Sequence, residues 1–180
     1  MIVEKIKITK DGSEILLRCA TAEDAEMLLS GYKKMLGETQ FLSCGPDEIS
    51  LTVEQEKTFI EGSNNDKDKL LLLAFVNGKY AGNCNFAGKT ASRRTAHRAS
   101  LGIAVFQEFT GKGLGKIMLE KLLTEAKKAG FEQMELTVYA DNIRARSLYE
   151  KFGFIECGRI PDARRISGAG SDEIRMYKKL

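Results

Sequence analysis

"LGIAVFQEFTGKGLGKIMLEKLL", Leu101–Leu123, alternates apolar residues, then places a glycine at every second position, then runs into a stripe of Leu, Ile and Met. That order reads as a strand, a loop stripped of side chains, and a helix that opens directly from it. The first N–H groups of a helix have no intrahelical acceptor and carry partial positive charge, so the arrangement suits a phosphate group. Leu101, Ile103 and Val105 are expected on one face of the strand. Leu114, Ile117, Met118, Leu122, Ala126 and Ala129 form the predicted buried stripe of the helix, with Gly130 as its C-terminal stop.

Working outward, the chain of 180 residues shows no linker, repeat or low-complexity segment, so residues 1–180 read as one domain. An apolar fraction of 43% with 29% charged residues describes a folded chain rather than a disordered one. The net charge of +3 is too small to argue for nucleic acid, and the arginines at 93, 94, 98, 164 and 165 are scattered without interleaved aromatics. Cys19, Cys44, Cys84 and Cys157 form no C-x-x-C pair, so no metal site is expected and the cysteines read as reduced. The opening "MIVEKIKITK" has no apolar h-region, and the longest apolar run, Leu70–Val76, is far short of the ~20 residues of a membrane span. A cytoplasmic protein without membrane association is expected.

Strands are predicted on either side of Asp11-Gly12 and on either side of Asn77-Gly78, both pairs suited to tight hairpin turns. Thr21 with Asp24, and Thr52 with Gln55, open two predicted helices in capping-box fashion, the second reaching about Ile60. Residues 37–50 read as a loop. "MELTVY" alternates Met134, Leu136 and Val138 inward, Asn142 caps a short helix ending at Gly153, and "FIECGRI" and "EIRMYKKL" are two final strands around a polar loop. The order of elements predicts an α/β fold.

The glycine loop is not a P-loop, because Ile117 stands where a Ser or Thr must hold magnesium. It is not a dinucleotide fingerprint either, because Lys116 occupies the third glycine position and no acid ends the following strand. Together with "LRCATAEDA", "NGKYAGN", "LTVYADNIRARSLYEKFGF" and "DEIRM", the chain from about Leu16 to Lys178 resembles the GCN5-related N-acetyltransferase (GNAT) superfamily. Its general look is similar to bacterial enzymes that acetylate ribosomal-protein N-termini.

The resemblance implies a mixed, mostly antiparallel central sheet with a V-shaped splay between two parallel strands and helices on both faces. It implies acetyl-CoA as co-substrate and no metal. The diphosphate would lie over Thr110, Gly111, Lys112, Gly113, Leu114, Gly115 and Lys116, with Thr110 departing from the Arg or Gln usual in the family. The pantetheine arm would pair with the backbone of Ile103, Ala104 and Val105 and contact Asn142. The Val105 N–H would face the developing oxyanion, and Tyr149 would protonate the leaving thiolate. The strand glutamate of many relatives is Ser100 here. Glu38, Glu108 and His97 are the candidate bases, with Glu38 the first choice. The acceptor is expected to be a small-molecule amine or a protein N-terminus, shaped by residues 37–46 and 160–172, with Tyr32, Phe41 and Arg164 as lining; a homodimer stays open. The competing reading is a non-catalytic acyl-CoA-binding or sensing module on the same fold.

Overall fold

The computed structural model describes residues 1–3, 6–10, 12–166 and 168–180, without the side chains of 8–10; Asp11, the first residue of the predicted first turn, lies outside the described residues. The chain forms two compact units, Met1–Ala87 with Gly102–Leu122, and Gly88–Leu101 with Leu123–Leu180. Strand β5 (Arg98–Val105) and helix α3 (Leu114–Lys128) each run through both.

The first unit is an antiparallel run of β1 (Ile6–Lys10), β2 (Ser13–Cys19), β3 (Lys69–Val76) and β4 (Lys79–Gly88), with α1 (Ala25–Glu38) and α2 (Val53–Asn65) inserted after β2. Leu70, Leu71, Leu72 and Leu73 of β3 are all buried, so this strand is covered on both faces. Leu71 and Leu73 pack with Ala20, Ala25 and Leu28 and with Ile60 of α2. At roughly 1.5–3 kcal/mol for each buried leucine, β3 contributes heavily to the core of this unit. The β3–β4 turn is the predicted one, with Asn77 at φ 50° and Gly78 at φ 78°. Thr52 and Gln55 cap α2 reciprocally, Gln55 N–H donating to Thr52 Oγ1 (3.2 Å) and Thr52 N–H to Gln55 Oε1 (2.9 Å). The helix continues five residues beyond the predicted end. Its polar tail is held because Ser63 is buried and the Asn64 amide donates to Ala20 O at 2.8 Å.

In the second unit β5 pairs in parallel with β6 (Gln133–Tyr139), β6 antiparallel with β8 (Ala169–Lys179), and β8 with the edge strand β7 (Ile155–Ile166); α4 (Ile143–Lys151) joins β6 to β7. Met134, Leu136 and Val138 are buried as predicted, together with Ile174 and Met176 of β8. The last two strands correct the sequence reading. Residues 161–172, expected as a loop, are largely strand, with the turn at Gly168 (φ 84°). Pro161 is tolerated there because β7 lies at the sheet edge, and the register shifts between Ile160 and Arg164, where Asp162 takes φ 51°. The α3 stripe also differs: Leu119 is fully buried in place of Ile117, which is half-buried.

Candidate functional site

The glycine loop lies in the first unit. Gly111 and Gly113 take φ 77° and 82°, a conformation that L side chains rarely adopt. Nothing lies within 4 Å of where a Cβ of Gly111 would be, so the loop faces open space. The Gly113 carbonyl accepts the first helical bond, from Ile117 N–H at 3.2 Å. Leu114, Gly115 and Lys116 therefore carry the N–H groups for which α3 offers no acceptor. The first turn of α3 holds no acidic residue. By contrast α2 has a capping box with Glu54 and Glu56 in its first turn. One helix neutralises its own positive end and the other leaves it for a ligand. Basic side chains surround the loop. Lys79 and Lys112 lie 5.7 and 5.8 Å from the Phe109 ring centroid. Lys79 Nζ pairs with Glu108 at 2.8 Å, and this pairing lowers the Glu108 carboxyl below its usual range. A carboxylate committed in this way is a poor proton acceptor, which argues against Glu108 as the base.

Upstream of the loop, β4 carries a bulge. Ala74 faces Gly82 and Phe75 faces Tyr80, so Ala81 is the extra residue. A Cβ on Gly82 would collide with the Ala104 carbonyl oxygen, so only glycine allows β4 this close to β5. Phe106 N–H donates to Ala81 O at 3.1 Å. Because N–H groups alternate sides along a strand, that of Val105 points away from β4. Glu38, at the end of α1, accepts from Gln107 N–H at 2.8 Å and lies 3.8 Å from Lys34 Nζ. The structure thus brings Glu38 to the chain segment just after Val105.

The second unit holds the end of the parallel ladder. β5 and β6 pair as Arg98–Gln133, Ala99–Met134 and Ser100–Glu135, while the strands run on to Val105 and Tyr139. Of β5 only Ala99 is buried; Leu101, Ile103 and Val105 are half-buried, because three ladder pairs leave the rest of the strand open on that side. On the polar face Glu135 accepts from Lys89 Nζ (2.6 Å), Arg98 Nη2 (2.9 Å) and Gln133 Nε2 (2.8 Å), and from Arg98 Nε. Arg98, then Lys89 and Gln133, hold its carboxyl at about 2 against the penalty of burial. A carboxyl depressed in the folded state contributes stability above the ordinary value near 4.5 and loses it as pH falls toward 2. Glu135→Gln is expected to cost about 1–2 kcal/mol at pH 7, the partly exposed site screening the larger value of a fully buried pair. Urea denaturation at pH 7 and pH 3 checks this: the gap between the two proteins narrows at pH 3.

Tyr149, also in the second unit, is 7% exposed, and its ring meets Phe154 edge-on at 5.7 Å between centroids. Burial raises its phenol to about 12, so it is protonated throughout the neutral range. Asn142 caps α4 by accepting from Ala145 N–H at 3.2 Å. One residue earlier, Asp141 accepts from Arg164 Nη2 (2.9 Å) and Ser171 Oγ (2.6 Å), and the Arg164 guanidinium stacks 4.1 Å over Tyr139. These contacts tie the β7–β8 hairpin to the corner that carries Asn142. In the first unit, Tyr32 Oη lies 4.0 Å from Cys44 Sγ. The His97 carbonyl accepts from Glu132 and Gln133 N–H, a structural use of its backbone. Cys84 is buried, which pushes its thiol up and disfavours a nucleophilic thiolate.

Sequence reasoning missed the Lys89–Arg98–Glu135 network and the role of Gly82. Arg98 read as one of several scattered arginines and Glu135 drew no role; their alternation with Ala99 and Met134 shows one polar face, but only the parallel register places them together. Among the described residues no group of three or more His, Cys, Asp or Glu side chains gathers as a metal site, and no helix is long and apolar enough to cross a membrane.

Residues 38–154 match the Acetyltransferase (GNAT) family. A GNAT-family acetyltransferase from Streptococcus pneumoniae is 32% identical with a TM-score of 0.88, over 93% of this chain and 100% of that one. The ribosomal protein bS18-alanine N-acetyltransferase of Escherichia coli (strain K12) is 43% identical over 54 residues, 30% of this chain and 36% of that enzyme. A GNAT-superfamily phosphinothricin acetyltransferase from Sinorhizobium meliloti, in complex with AcCoA, shares the fold at 19% identity and a TM-score of 0.79, over 91% of this chain and 87% of that one. With the family match covering well over half its length, this chain belongs to the GNAT family of acetyltransferases.

Proposed function

We propose that this protein is a cytoplasmic N-acetyltransferase that moves an acetyl group from acetyl-CoA to a primary amine by direct attack in a ternary complex. The observation that carries the reading is the opening of α3, with positive φ at Gly111 and Gly113 and no acidic residue in its first turn. Bound there, acetyl-CoA supplies the activated acyl group. The N–H groups from Gly111 to Lys116 hold its diphosphate, with Thr110 and the lysines at the rim. Ile103, Ala104 and Val105 offer backbone partners to the arm, and Asn142 a side-chain contact. Val105 N–H is the donor for charge developing on the carbonyl oxygen. Tyr149 donates a proton to the departing sulfur, and Glu38, through water, takes the proton from the amine. With Cys84 buried and its thiol disfavoured as thiolate, direct transfer is preferred over an acyl-enzyme.

The test is release of free coenzyme A thiol from acetyl-CoA by the purified protein across an amine panel. Amine-dependent release with intersecting initial-velocity lines supports the reading. Parallel lines overturn direct transfer. Acetyl-CoA binding without release for any amine overturns the transferase and favours the sensing module.

A further inference from the structure

The polar face of the second unit encloses a cleft of about 920 Å³. That size suits a small ligand. Its floor is a set of registered rows: Arg98–Gln133–Lys179, then Ser100–Glu135–Tyr177, then Thr137–Arg175. Leu101 and Leu136, the first residues beyond the last parallel pair, also line it. The cleft therefore opens where the β5–β6 ladder ends.

The charge of the lining is lopsided. Lys89, Arg98, Arg175 and Lys179 face a single acid, Glu135, and Glu135 is already engaged by Lys89, Arg98 and Gln133. Arg175 lies a loose 3.7 Å from Glu173, and both Arg175 and Lys179 are exposed toward an incoming molecule. Such a site repels a polycation and attracts an oxyanion. A positive field has a second effect: it disfavours the ammonium form of an amine held nearby, which leaves more of it as the neutral nucleophile.

We infer that this cleft is the acceptor site and that the acceptor is amino-acid-sized, a primary amine that also carries a carboxylate or a similar oxyanion, held by Arg175 and Lys179. The inference rests on the transferase reading above. It deepens that reading by naming the class of amine.

The experiment compares kcat/KM for L-glutamate and L-aspartate with L-glutamine, L-asparagine, spermidine and an alanine-first peptide, at low and high salt. The same set is run with Arg175→Gln and Lys179→Gln. Both residues are exposed, so both variants are expected to fold, and thermal unfolding checks this. The expected result is a preference of about tenfold or more for the acidic amino acid over its amide. Each substitution reduces that ratio about threefold, the scale of one exposed charge pair, and salt reduces it further. Two independent variants keep the test valid should one fail to fold. Turnover that favours glutamine, spermidine or the peptide overturns the inference and leaves the transferase standing. A glutamate preference untouched by both variants overturns the assignment to this cleft. Acetyl-CoA binding without turnover on any amine overturns both readings.

Discussion

Gly113→Asp is expected to weaken acetyl-CoA binding by about 100-fold or more in calorimetry while the protein stays folded. Two effects add. At φ 82° any Cβ is strained, a cost of order 1 kcal/mol. The new carboxylate also takes the place of the diphosphate at the N–H groups of Gly115 and Lys116, removing charge-assisted hydrogen bonds worth ~1.5–3 kcal/mol each and adding repulsion. An acid at a helix N-terminus is favourable for the helix itself, so loss of affinity and loss of fold should separate. Gly113→Ala isolates the strain and is expected to cost about tenfold or less. Unchanged affinity in the Asp variant would falsify the cradle.

Tyr149→Phe is expected to lower kcat by about 10²-fold, with the Kd for acetyl-CoA within about twofold of the parent. The ring is packed against Phe154 and 7% exposed, so removing one hydroxyl leaves the packing in place. The pH profile gives a separate check. Burial moves the phenol from 10 to about 12, and the protonated form is the one that donates. The acid therefore stays in its working form up to higher pH than a free phenol would, and kcat should show no alkaline fall from this group below about pH 11. Equal kcat for the Phe variant and the parent would remove Tyr149 from the proton transfer.

Much of this was legible before the fold was known, and for local reasons. The glycine loop, the Asn77-Gly78 turn and the Thr52–Gln55 cap each depend on the conformational preferences or hydrogen-bonding reach of a few adjacent residues. The alternation in β6 and the run of leucines in β3 report burial directly. The β7–β8 hairpin was read too short because Pro161, Asp162 and Gly168 look like loop residues. An edge strand with an irregular register accommodates the first two of them.

The candidate site divides along the same line. Gly111 and Gly113 stand out by their alternation ahead of a helix, and Asn142 and Tyr149 through the resemblance of their contiguous motif to the GNAT family. Glu135, Arg98, Lys89 and Arg175 lie on separate strands and a turn, and their partnership exists only through a parallel register with its crossover. Gly82 gives the plainest case, since its sequence context shows a glycine in a strand and only the nearness of the Ala104 carbonyl shows why no other residue serves. The sequence by itself determined the positive-φ glycine loop and the acid-free opening of α3, because both properties are local. Tertiary structure decided which charges meet around the cleft, because Coulomb interactions depend on distance in space and not on separation along the chain.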